Sequence, residues 1–199
     1  MIKSNHSFRK LTQWIWILFF LGIQPCSALE LTEWVIGSTS FQTLPGFGLG
    51  GGASIRFTLS QMWMIETGLF YTARNYSQIP SQGLKANYGM PGAHFPIVLR
   101  YRLSEMSSLG VGPYLTQGSG SVQVTQDGET RGVGYSELQV QRLDWGLVTS
   151  FQFRILINEF MHLNFDERIV FGLRNLDSTD NGSLLTRDFQ SWIGVSFTL

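Results

Sequence analysis

The chain has 199 residues, with 14 basic and 14 acidic side chains, 22 glycines and a single cysteine. One cysteine excludes a disulfide framework and a cysteine-built metal centre. The even charge excludes the basic footprint of a nucleic-acid binder. Charged residues make up 14%, well below the roughly 25% of a soluble domain.

Residues 1–28 have the three parts of a secretory signal. Lys3, Arg9 and Lys10 are followed by the apolar block Trp14 to Leu21 and then by Gln24-Pro25-Cys26-Ser27-Ala28. The apolar block is short of the ~20 residues that a membrane-spanning helix needs, so cleavage between Ala28 and Leu29 is expected rather than an uncleaved anchor. Gln24 and Pro25 are poor neighbours for a lipoprotein cysteine at Cys26. Cleavage takes away three basic residues, leaving 11 basic against 14 acidic in residues 29–199. That remainder suits one domain and contains no helical membrane span.

Eight strands are predicted beyond the leader, at 30–38, 47–59, 62–75, 93–103, 108–118, 141–155, 160–174 and 185–199. Neighbouring side chains of a strand point to opposite faces. In 47–59 the odd positions are Phe47, Leu49, Gly51, Ala53, Ile55, Phe57 and Leu59, while the even ones are glycine, Ser54, Arg56 and Thr58. The odd positions Trp63, Ile65, Leu69 and Tyr71, then Phe95, Ile97, Leu99 and Tyr101, repeat the split. So do Leu143, Trp145, Leu147, Phe151 and Phe153. Links at 60–61, 104–107 and 156–159 are short. Those at 39–46, 76–92, 119–140 and 175–184 are long, the alternation of periplasmic turns and external loops. The fold expected is an all-β, eight-stranded antiparallel up-and-down transmembrane barrel over residues 29–199. Two residues strain this scheme. Glu167 falls on the oily face, where a bulge that resets the phase is expected, and Pro113 falls inside a strand, where a bulge or a water near the barrel rim is needed.

A soluble lipocalin-like barrel alternates too, with its oily face inward. Here the other face is too rich in glycine to coat a soluble protein, whereas small residues fit a narrow barrel's interior. The oily face therefore meets lipid. Trp63 and Tyr101 near short turns, with Tyr71 and Trp145 towards long loops, are placed for two aromatic girdles. The polar face holds Arg56, Glu66, Arg74, Arg100, Arg102, Asp144, Arg154, Asp166 and Arg168. Unpaired buried charge is costly, so a salt-bridge network plugging the lumen is expected over a water-filled pore. Arg56 should face Glu66 if their hairpin closes on three residues. Phe70, Tyr114 and Trp192 narrow the interior further.

Three phrases, at Phe95-Pro96-Ile97-Val98-Leu99-Arg100-Tyr101, Gly110-Val111-Gly112-Pro113-Tyr114-Leu115 and Arg168 to Leu176, resemble strands of the PorT-like outer-membrane β-barrel family of Bacteroidota. Ile169 and the terminal Leu199 depart from that pattern, which favours aromatics there. The resemblance implies an eight-stranded outer-membrane barrel and no particular activity. A secretion-associated role stays an alternative.

Chemistry is sparse. His94 and His162 lie towards opposite ends of the polar face, without the converging ligands that a metal needs. Ser119, Ser121 and Ser178 lack a nucleophile motif. Residues 177–182 are rich in oxygen ligands but lack the closing glutamate of a calcium loop. No catalytic residue, cofactor or metal is assigned. Expected partners are outer-membrane lipids, the insertion machinery and an unidentified ligand of the external loops, with the barrel a monomer that binds no nucleic acid. A lipid-modifying enzyme and a narrow channel remain as alternative readings.

Overall fold

The computed structural model describes residues 29–40, 47–78, 85–179 and 183–198. Among the described residues ten strands succeed one another: β1 Leu29–Ser40, β2 Phe47–Thr58, β3 Trp63–Gln78, β4 Lys85–Arg102, β5 Ser107–Gly118, β6 Val122–Gln126, β7 Glu129–Val133, β8 Leu143–Asn158, β9 Met161–Gly172 and β10 Arg187–Thr198. Eight of them form a closed antiparallel barrel, β1-β2-β3-β4-β5-β8-β9-β10, sealed by β10 against β1. Tracing paired residues once round the wall leads from Leu29 through Phe57, Ile65, Leu99, Val111, Thr149, Ile169 and Phe189 to Thr39. That circuit climbs ten residues along β1. Eight strands with this stagger tilt by about 40°, and the interior they enclose is just wide enough for side chains.

The short turns are held by their own polar side chains, which substitute for missing ladder partners. Ser60 Oγ accepts from Trp63 N at 3.1 Å, Ser104 Oγ from Ser107 N at 3.1 Å, and Asn158 Oδ1 from Phe160 N at 3.0 Å. The first turn closes through Leu59 N to Trp63 O. It therefore has three free residues, which brings Arg56 opposite Glu66.

Odd-numbered side chains point outward throughout the barrel. Val35, Leu49, Leu69, Ile97, Val111, Leu147 and Ile193 are all exposed, whereas Arg56, Glu66, Arg100, Asp166 and Arg168 are buried. Exposed aliphatic side chains around the wall and buried ions on the axis suit lipid outside and a packed interior.

Neither expected bulge is present. β9 runs through Glu167 in unbroken register, with Phe151 on one side and Ser191 on the other. Glu167 stays on the outer face and accepts a hydrogen bond from Ser191 Oγ at 2.7 Å. A neighbouring hydroxyl thus meets part of its need for a partner without any change of phase. At Pro113 the ladder to β8 is continuous, and the ladder to β4 lapses between Tyr114 and Val111 with the same register on both sides. Proline removes a hydrogen bond there but inserts no residue. Gly112 lets the strands close at that lapse, because a Cβ on it would collide with the carbonyl oxygen of Ile97. Register shifts occur instead beside the β8–β9 turn and near the top of β3.

The long links contain more order than the sequence suggests. β3 and β4 continue past the barrel, and the β6–β7 hairpin pairs onto β4 through Asn87, Tyr88 and Gly89. Over the long-loop mouth these segments bury Tyr76, Tyr88, Val122, Val124, Val133, Tyr135, Leu138, Leu176 and Leu184 together. A second, apolar core therefore caps the barrel.

Candidate functional site

Inward side chains fill the barrel in layers. At the short-turn end, Arg56 Nη1 donates to both Glu30 oxygens at 3.2 Å, and its Nη2 to Glu66 Oε2 and Gln152 Oε1 at 2.8 Å each. Gln152 continues to Asn164 at 3.1 Å, and Asn164 to Ser196 at 2.9 Å. Above them Glu66 gathers three cations. Arg100 Nε reaches it at 3.0 Å and Arg168 Nη2 at 2.5 Å, besides Arg56. Arg100 and Arg168 also share Asp166, the latter at 2.7 Å. These groups come from β2, β3, β4 and β9, so the network ties opposite walls together. Pairing with further hydrogen bonds is what makes buried ions tolerable.

An aromatic layer lies above these ions. The Arg168 guanidinium lies 3.6 Å from the centroid of Trp192, a cation–π stack. Trp192 packs against Phe70 at 4.4 Å and edge-on against Trp34 at 5.7 Å. Val98, Tyr114, Val148 and Val170 fill the other side. Beyond that layer, Arg74 is held by Asp144 at 2.6 Å and Asp188 at 3.2 Å. Tyr114 and Thr186 hydroxyls donate to Asp144 at 2.8 and 2.7 Å, and His94 Nδ1 lies 2.8 Å from Thr116 Oγ1. A cavity of about 30 Å³ separates this layer from the apolar cap.

Of the charged residues singled out in the sequence, Arg56, Glu66, Arg100, Asp166 and Arg168 form one cluster, which Arg154 joins through Glu30 at 3.5 Å. Arg74 and Asp144 form a second, on the far side of the aromatics. Arg102 belongs to neither; its guanidinium meets Met64 Sδ at 3.5 Å. Reasoning from the sequence puts Gln152 on the inward face without including it in the network, and misses Glu30 and Asp188, although both occupy even positions on strands where even means inward. It also misses Glu33, which is exposed on the outer wall between Val195 and Ala53.

On the outer face, Trp63 and Tyr101 pair across β3 and β4 with ring centroids 5.0 Å apart. Tyr71 and Trp145 are exposed towards the other end. Tyr71 stands eight residues beyond Trp63, about 20 Å along the axis at this tilt, close to the ~25 Å apolar band of outer-membrane barrels. The cleavage position at Ala28 lies outside the described residues. Among the described residues, two of the candidate serines bind elsewhere than to histidine: Ser178 Oγ donates to Gln139 O at 2.5 Å and Ser121 Oγ accepts from Gln123.

Comparison with solved structures places this geometry. Neisserial surface protein A superposes with a TM-score of 0.51 at 12% identity, covering 87% of this chain and 99% of that one. The chain has the fold of a small outer-membrane β-barrel. OprG of Pseudomonas aeruginosa matches at 0.52 and 10% identity, over 87% and 97% of the two chains. Ail, the attachment invasion locus protein of Yersinia pestis, solved with the heparin analogue sucrose octasulfate, matches at 0.51 and 9%, over 86% and 98%. No family model and no curated protein matches the sequence. With this fold and an oily outer wall, the barrel sits in an outer membrane.

Proposed function

We propose that the protein is a non-conducting outer-membrane barrel of structural or binding type, which holds an ordered loop assembly outside the cell. One observation carries the reading: the axis is occupied from mouth to mouth, by ions, then aromatics, then ions, then an apolar cap. The investment in a capping core favours presentation of a surface over passage of solutes. A leader at 1–28 delivers the chain to the insertion machinery, and the girdles Trp63/Tyr101 and Tyr71/Trp145 set its depth as a monomer among outer-membrane lipids. The phrases at 95–101, 110–115 and 168–176 support PorT-like kinship without carrying over a secretion role. The reading assigns no catalytic residue; His94 lies inside the lumen with Nδ1 2.8 Å from Thr116 Oγ1.

Single-channel recording on the purified barrel tests this. The expected trace has no steady openings; sustained large openings would overturn the plugged barrel in favour of a channel. Replacing 122–133 by a short turn is expected to leave heat-modifiable gel mobility intact and abolish binding of any external ligand.

A further inference from the structure

The lumen is not evenly charged. On the short-turn side of the aromatic layer, five guanidiniums (Arg56, Arg100, Arg102, Arg154 and Arg168) lie with three inward carboxylates, Glu30, Glu66 and Asp166, and with the exposed Glu105 of the β4–β5 turn, whose charge acts on Arg154 and whose carbonyl accepts from Arg154 Nε at 2.8 Å. The excess collects at the mouth. Glu66 and Asp166 are taken up by Arg56, Arg100 and Arg168. Glu30 is divided between Arg56 at 3.2 Å and Arg154 at 3.5 Å. Arg102 meets no carboxylate among the described residues, only Met64 Sδ. Arg56, whose side chain is 2% exposed, keeps its Nε without a hydrogen-bond partner among them.

Arg56, Arg102 and Arg154 line one pocket with Ser104, Ser107 and Ser108, and these serines come from the β4–β5 turn and the start of β5. The pocket therefore opens at the short-turn end. Its enclosed part is about 10 Å³, room for a single oxygen-sized group, with the remainder open. We infer that this mouth is an oxyanion site for a phosphate group, one oxygen entering between Arg102 and Arg154 and the others staying outside. Guanidiniums present paired N–H donors that match phosphate oxygens; Ser104 and Ser107 share one hydrogen bond at 2.8 Å, which leaves one hydroxyl of that pair to donate outward. Short turns of outer-membrane barrels face the periplasm. Anionic phospholipid headgroups, whose phosphate is not balanced by a choline, and free phosphate both bring this chemistry there.

The folded barrel is titrated calorimetrically with inorganic phosphate at constant ionic strength. In parallel, it is heat-unfolded in phosphatidylcholine vesicles with and without phosphatidylglycerol. Free phosphate is expected to bind, and Arg102→Gln to weaken that binding about tenfold or more, the worth of one charge-assisted contact. Arg131→Gln, exposed on the far hairpin, leaves it unchanged. Should only phosphatidylglycerol raise the unfolding midpoint, and only with Arg102 present, the site stands with a lipid headgroup as its source. Equal behaviour of wild type and Arg102→Gln towards both probes overturns the site, and so does an equal loss in Arg131→Gln. Arg102→Lys, which keeps the charge but not the fork, replaces Arg102→Gln should the latter not fold; a smaller loss is expected, and no loss is again fatal.

Discussion

Glu66→Gln keeps the shape of the side chain and removes one charge from the centre of the lower network. Glu66 accepts from Arg56 at 2.8 Å, from Arg100 at 3.0 and 3.2 Å, and from Arg168 at 2.5 Å. Asp166 still serves Arg100 and Arg168, and Glu30 still serves Arg56. The variant thus leaves three buried cations with two carboxylates rather than three cations unpaired. Breaking a buried pair from one side costs about 3–5 kcal/mol, and the remaining carboxylates hold the expectation near the lower figure. At ~1.4 kcal/mol per factor of ten, the folded fraction relative to unfolded falls about a hundredfold. Urea unfolding in vesicles, monitored by tryptophan fluorescence, reads this as a lower midpoint with unchanged slope. Because Glu66 and Arg168 touch, Glu66→Gln combined with Arg168→Met should lose less than the sum of the single variants. A Glu66→Gln barrel within about 1 kcal/mol of wild type would refute the view that this network bears the strain of the lumen.

The wall and the cap carry further expectations. Gly112→Val should prevent folding, seen as loss of the heat-modifiable band, because its Cβ meets the Ile97 carbonyl. Glu167→Leu should stabilise the barrel in vesicles by about 1 kcal/mol, since a lipid-facing carboxyl is removed; Ser191→Ala, which strips its partner, should destabilise it. Val124→Asp places a charge in the apolar cap and should expose 119–141 to protease while the barrel band persists. Tyr135 OH donates to Pro91 O at 3.1 Å, and burial pushes its phenol above the usual value. A group held neutral in the fold loses its contribution as pH rises above the unfolded value of about 10. Protease sensitivity of the cap should therefore grow above that pH in wild type and lose this dependence in Tyr135→Phe.

Period-two alternation by itself determined the barrel, because in a wall one residue thick the side-chain direction is fixed by parity alone. That is why Arg56, Glu66, Arg100, Asp166 and Arg168 are assigned inward from sequence, and why Glu167 stands out before its surroundings are known. Parity says nothing of height. Arg74 and Asp144 separate from the lower cluster, and Arg102 drops below it, only because a ten-residue stagger sets the level of each strand against its neighbours. The cap was hidden for a related reason. Its apolar residues, in 76–90, 122–140 and 176–184, alternate only in short runs, such as Ala86, Tyr88 and Met90 or Val122 and Val124, too brief to stand out in the sequence, and only the closed wall brings these three links over one mouth, where each can bury what none could bury alone.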